Sequence, residues 1–184
     1  MPLDERIRDL LANGDARSAS ATAVQTLGPR ILGYLRAVLR DEADAADAFS
    51  IWAEHVWRGI ATFRGDSSIR TWAFKVAWNA SLNVRDDAWK RLGRRLGTGE
   101  ASRLAEEIRT ATVERVERQR DALASLRESL SPEDQTLLSL RIDQKLTWSD
   151  IGEVLGVEPV VLRKRFERLK DRLGRLARAR GLIN

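Results

Sequence analysis

The sequence contains no cysteine and only one histidine, His55, among its 184 residues. Without cysteine, disulfide bonds and thiolate metal sites are excluded. A single imidazole excludes a histidine-rich zinc or iron site. We therefore expect no metal and no cofactor, and we assign no function to His55.

Long apolar runs are also absent. No segment approaches the ~20 apolar residues that span a bilayer. The N-terminal stretch contains Asp4, Glu5 and Asp9, so it does not predict a secretory signal. No nucleophile–base set and no phosphate-binding loop is visible, and so we do not expect an enzyme. These features predict a cytoplasmic protein that does not bind a membrane.

Helix breakers are scarce, with four prolines and twelve glycines. Apolar residues recur at i, i+3, i+4 and i+7 over most of the chain, which predicts an all-α fold. A glycine-interrupted stretch with few apolar residues follows Leu92 and is typical of a linker. We predict two small helical domains, residues 1–94 and 119–184, joined by a linker over 95–118.

Capping residues predict where the helices begin and end. In the first domain we expect one helix to start near Pro29, a second to run from about Asp44 to Ile60, and a third to start at Ser67 or Ser68. In the second domain four signals mark helix boundaries: Ser131-Pro132, Thr147, Gly156 and Glu158-Pro159.

The charges are concentrated in blocks. The chain has 32 Lys and Arg against 27 Asp and Glu, a net charge of +5. Residues 41–54 contain five acids and no base, whereas residues 160–184 contain nine bases and two acids. A basic surface of this kind favours a polyanionic partner.

Residues 147–170 have the pattern of a helix-turn-helix. A short helix ends at Gly156, and the next helix presents five basic residues. Cations near a helix N-terminus oppose its dipole, and phosphate contact gives a reason for them. The alternative is an ordinary helix pair with a solvated charged face. The basic residues are Arg163, Lys164, Arg165, Arg168 and Lys170.

A second pattern interleaves aromatic and basic residues after the acidic block. Aromatic rings can stack on unpaired bases while cations follow the backbone of a single strand. The alternative is that most rings belong to the core, and we expect a mixture. The rings are Trp52, Trp57, Phe63, Trp72, Phe74, Trp78 and Trp89, and the cations are Arg64, Arg70, Lys75, Arg85, Lys90 and Arg91.

These residues resemble those of extracytoplasmic-function sigma factors of bacterial RNA polymerase. The resemblance covers roughly residues 25–92 and 120–176. Its most specific string is FRGDSSIRTW, from Phe63 to Trp72, preceded by Asp44-Ala-Ala-Asp47 and followed by Ala77-Trp78-Asn79-Ala80. The stretch from Leu130-Ser131-Pro132 through Gly152–Val157 to Arg163-Lys164-Arg165 is similar to region 4 of the same family.

The resemblance implies a sigma factor that binds core RNA polymerase together with double-stranded and melted promoter DNA. It implies −10 element binding and melting by Phe63, Arg64, Asp66, Ser67, Ser68, Arg70, Trp72, Lys75 and Asn79. It implies −35 element binding by Val160, Arg163, Lys164, Arg165 and Arg168, of which Arg163 and Arg165 are the candidates for guanine edges. Core polymerase docking is implied for Asp44, Asp47, Ser50 and Ile51.

The chain departs from the family pattern at Ser50 and Ile51, where glutamine and an acid are usual. One hypothesis is that a Ser/Thr kinase restores the missing charge by phosphorylating Ser50. The alternative is that the two aspartates are sufficient for docking. Control by a separate anti-sigma protein is also expected.

Two other interpretations remain open. The chain could be a helix-turn-helix transcription regulator that does not act as a polymerase subunit. It could also be a helical adaptor that binds only protein, although the basic second helix argues against this.

Overall fold

The computed structural model describes residues 1–85 and 129–179, which are helical with no strand among them. The all-α prediction is therefore confirmed. The chain divides into two compact units, Met1–Val113 and Glu114–Asn184. The predicted linker over 95–118 lies outside the described residues, as do Trp89, Lys90 and Arg91.

Residues 1–85 of the N-terminal unit form four α-helices: α1 (Leu3–Ala12), α2 (Ala16–Leu39), α3 (Glu42–Gly59) and α4 (Ile69–Arg85). A 3-10 turn, Ile60–Thr62, extends the end of α3. The loop 63–68 then leads into α4. Helix α4 begins at Ile69, directly after Ser68, one of the two serines predicted to cap the third helix.

The predicted helix start at Pro29 was wrong. Helix α2 begins at Ala16, where the Asp15 carboxylate accepts a 2.9 Å hydrogen bond from the Ser18 amide, and it continues through Pro29. Proline removes the hydrogen bond to the carbonyl four residues earlier, at Gln25. Both Gln25 and Pro29 are exposed, so water can solvate that carbonyl.

The core of this unit is formed where α2, α3 and α4 pack together. The fully buried Trp52 of α3 donates an indole hydrogen bond of 3.0 Å to the carbonyl of Ala73 in α4. Tyr34 of α2 meets Phe74 of α4 edge to face at 5.6 Å. These contacts fix the orientation of α4, the helix that follows the loop 63–68.

The C-terminal unit contains α5 (Pro132–Leu138), a π-helical turn (Ser139–Asp143), α6 (Trp148–Leu155) and α7 (Pro159–Ala179). Ser131 caps α5 with Pro132 in its first turn, as predicted. Thr147 and Asp150 form a reciprocal capping box at the start of α6. Gly156 ends α6 with a φ of 67°, a left-handed conformation that glycine adopts without steric strain.

The turn between α6 and α7 is tightly packed. A Cβ placed on Gly152 would lie 2.9 Å from the carbonyl oxygen of Val157 and 3.4 Å from the ring of Pro159. Leu162, Phe166 and Leu169 bury the inner face of α7. The predicted helix-turn-helix is therefore present, and the absence of a side chain at Gly152 allows its two helices to approach.

Candidate nucleic-acid interface

The loop 63–68 presents polar groups at the entry to α4. Gly65 has a φ of 77°, a conformation that other residues adopt only with strain. Arg64 and Asp66 are exposed, and Ser67 is half-buried. The Ser68 hydroxyl accepts a 3.0 Å hydrogen bond from the Thr71 amide, so Ser68 is the residue that caps α4. Capping therefore does not occupy Ser67.

One stripe of α4 faces away from the core of the N-terminal unit. Trp72, Lys75, Asn79 and Leu82 are spaced at i, i+3, i+7 and i+10, which aligns them on one side of a helix. Lys75 and Asn79 are exposed, Trp72 is half-buried, and Leu82 is 37% exposed. Leu82 was not among the predicted site residues, although its spacing from Asn79 could have identified it. Arg70 is half-buried in the first turn and lies off this stripe.

The aromatic residues divide between core and surface, as expected. Trp52, Phe74 and Trp78 are buried, whereas Trp57, Phe63 and Trp72 are half-buried. The rings of Phe63 and Trp72 lie 5.6 Å apart. Trp72 also covers Gly59, where an added Cβ would lie 3.4 Å from the indole. The end of α3, the loop and α4 thus meet at Trp72.

The acidic block forms the first part of α3. Asp41 caps the helix through the Asp44 amide at 2.8 Å, and Asp47 is exposed. The half-buried Ser50 donates a 3.0 Å hydrogen bond to the carbonyl of Ala46. Ile51 is only 4% exposed and belongs to the core, so the prediction that it lies on the docking face was wrong.

His55 lies near the end of α3. Partial burial lowers the pKa of its imidazole, because desolvation disfavours the charged form. The prediction that His55 has no function stays a prediction.

The residues of α7 predicted to bind the −35 element fall into two groups. Val160, Arg163, Lys164 and Arg168 are exposed, and within the part of the chain that the structure describes no ion-pair partner contacts Arg163 or Lys164. Arg165 instead donates from Nε to Asp134 of α5 at 2.7 Å. Arg172 likewise donates to the carbonyl of Ser129 at 3.2 Å. Arg165 thus joins α7 to α5, a role that sequence analysis did not assign to it.

Neither the first 85 residues nor 129–179 contain a group of acidic or histidine side chains that could hold a metal ion. None of the helices described is long and apolar enough to cross a membrane.

Comparison with known proteins agrees with this arrangement. Residues 23–95 match the family model of sigma-70 region 2, and this span contains the loop 63–68 and all of α3 and α4. This part of the chain is therefore a sigma-70 region 2 domain. It is also similar to the RNA polymerase sigma-H factor of Pseudomonas aeruginosa, with 26% identity over 175 residues that cover 91% of this chain and 90% of that protein.

The region 2 domain and the similarity to a sigma factor over most of the chain support a sigma factor role in transcription initiation. Such a role implies binding to core RNA polymerase and to promoter DNA. Sigma factors regulate transcription by binding DNA and are not enzymes. These similarities bear out the predicted sigma factor, whereas its extracytoplasmic-function type stays a prediction.

Proposed function

We propose that the chain is an extracytoplasmic-function type sigma factor that directs core RNA polymerase to promoters with defined −10 and −35 elements. The observation that carries the proposal is the exposed stripe of α4 beside the loop 63–68, since it combines a ring, a cation, an amide and an apolar side chain. The second unit supplies a helix-turn-helix with a basic outer face. The protein would act in the cytoplasm, where its two partners are found.

The N-terminal unit would bind the −10 element in its melted form. Asp66 and Ser67 supply short polar groups for a base flipped out of the duplex, and extraction of that base costs a few kcal/mol of stacking. Trp72 and Leu82 offer surfaces for unpaired bases, while Lys75 contacts the backbone. Phe63, Arg64, Arg70 and Asn79 complete the predicted set, and Ser68 contributes by capping α4.

The C-terminal unit would bind the −35 element through α7. Arg163 is the candidate for a guanine edge, while Lys164 and Arg168 are the candidates for phosphate contacts. Val160 is 58% exposed in the first turn and suits a thymine methyl group. The ion pair with Asp134 makes Arg165 a residue that orients α7 within the unit.

Core polymerase would dock on α3 through Asp44 and Asp47. Ser50 is an unfavourable phosphorylation site here, because its hydroxyl bonds the Ala46 carbonyl and a phosphate would lie near the charge of Asp47. We therefore favour control by a separate anti-sigma protein over control by a kinase.

The test is reconstitution of the full chain with core polymerase, followed by transcription from a randomised promoter library. The expected result is a polymerase complex that selects two elements at a constant spacing. Asp66→Ala and Ser67→Ala should change selection at the downstream element and leave core binding intact. If the chain binds a DNA site without polymerase and gives no transcription with it, the alternative of a helix-turn-helix regulator is correct.

Docking is tested separately by measuring core affinity for the wild type, Ser50→Ala and Ser50→Glu. We expect tight binding by the wild type and no gain from Ser50→Glu. A gain of about tenfold, roughly 1.4 kcal/mol, would instead support the kinase hypothesis.

A further inference from the structure

Helix α1 lies outside residues 23–95, the part that matches sigma-70 region 2. It nevertheless belongs to the packed N-terminal unit. Ile7 is fully buried, and α1 contacts both α2 and α4. Nothing in the proposed function uses this helix.

One side chain of α1 reaches the start of α4. The Asp4 carboxylate accepts a 2.7 Å hydrogen bond from the Ile69 amide, across 65 positions of sequence. The first amides of a helix have no partner within the helix and need acceptors from elsewhere. Ser68 satisfies the Thr71 amide, and Asp4 satisfies that of Ile69. Two residues from distant parts of the chain thus share the capping of α4.

The electrostatic surroundings favour a carboxylate at this point. Asp4 lines a small cavity together with Arg30 of α2 and with Ser68 and Arg70 at the start of α4. The positive end of the α4 dipole therefore lies at this acid, and Arg30 and Arg70 line the same cavity. An acid in this position stabilises the first turn of α4 and the end of the loop that precedes it.

We propose that Asp4 is a positioning residue for −10 recognition, acting through the Ile69 amide to hold the end of the loop 63–68 and the first turn of α4. This makes α1 a part of the promoter-reading structure. The inference rests on the proposed function, because Asp4 would hold in place the same loop 63–68 and helix α4 that are proposed to bind the −10 element. Asp4 itself is not placed in contact with DNA.

The experiment compares Asp4→Ala, Asp4→Asn and Asp9→Ala in polymerase reconstituted with the full chain. Asp9→Ala removes the same charge from an exposed site on α1 and is the matched control. Asp4→Asn retains an oxygen acceptor for the Ile69 amide. Three quantities are measured: core affinity, promoter opening by permanganate reactivity at saturating core, and hydrogen exchange of the first turn of α4.

We expect Asp4→Ala to slow opening by about fivefold, as loss of one capping bond would, with faster exchange at Ile69 and unchanged core affinity. Asp4→Asn should recover most of the opening rate, and Asp9→Ala should match the wild type. The inference is overturned if Asp4→Ala opens promoters normally, or if it loses core affinity in parallel with opening. Failure of the wild type to open any promoter would refute the proposed function instead.

Discussion

The two units of this chain build their proposed DNA-binding surfaces in different ways. In the C-terminal unit, the helix-turn-helix is specified by neighbours in sequence: Thr147 pairs with Asp150, and Gly152 packs against Val157. In the N-terminal unit, the corresponding contacts are distant in sequence. Trp52 bonds the carbonyl of Ala73, and Asp4 bonds the amide of Ile69.

This difference affects how each surface should respond to mutation. A surface that depends on local signals is sensitive to a change within its own turn. A surface assembled from remote contacts is sensitive to residues that touch no DNA. Four predictions test this comparison, beginning with the largest expected effect.

Gly152→Ala should disrupt the helix-turn-helix, because the added Cβ would meet the Val157 carbonyl at 2.9 Å. Overpacking against backbone costs up to about 3 kcal/mol. Thermal unfolding of the full chain and binding to the −35 element measure the loss. The matched control is Gly174→Ala, whose Cβ would find only the Arg178 guanidinium at 3.7 Å and should stabilise α7 by about 0.5–1 kcal/mol. Equal effects at the two glycines would contradict this account.

Arg163→Ala and Arg165→Ala should have different effects, because we assign base recognition to Arg163 and the orientation of α7 to Arg165. Loss of Arg163 is expected to reduce discrimination at one base pair by about 2 kcal/mol with little change in stability. Loss of Arg165 should lower the unfolding temperature, because it breaks the 2.7 Å ion pair with Asp134. Asp134→Asn should reproduce the Arg165 result. Binding to single-base variants of the −35 element is the readout, and altered selectivity in Asp134→Asn would refute the division of roles.

Ser68→Ala and Ser67→Ala should differ, although the serines are adjacent. Ser68→Ala removes the acceptor for the Thr71 amide and should destabilise the N-terminal unit by about 1 kcal/mol. Ser67→Ala should leave stability unchanged and alter −10 preference. Chemical denaturation and promoter selection measure the two effects. A large stability loss at Ser67 would show that capping is not confined to Ser68.

The smallest effect is expected at Asp15, the cap of α2. Its hydrogen bond from Ser18 lowers the pKa of the carboxyl below the unfolded value of 3.8. The charged form is therefore favoured in the folded state, and its contribution is present above pH 3.8 and lost as the pH falls through the folded pKa. Asp15→Ala should lower the unfolding temperature at neutral pH, and the difference should disappear in acid. A difference independent of pH would contradict this linkage.

Much of the fold could be predicted from capping and periodicity. Ser131 and Thr147 cap helices, and Gly156 ends one, at the predicted positions. Each of them acts through a hydrogen bond or a backbone angle within a few residues of itself. The helix start predicted at Pro29 was wrong because α2 continues through this residue, where both Gln25 and Pro29 are exposed to solvent. The candidate site was less predictable. Ile51 has the spacing of a docking residue, yet it lies in the core.

By itself, the sequence determined the helical class, the helix-turn-helix and the motif from Phe63 to Trp72, because caps, turns and apolar stripes act over a few residues. Only the tertiary structure decided which polar groups stay exposed on the proposed DNA-binding surfaces. It pairs Arg165 with Asp134 and brings Asp4 to Ile69. The physical reason is that a side chain's partner across 31 or 65 positions depends on how whole helices pack, and no local pattern records that packing.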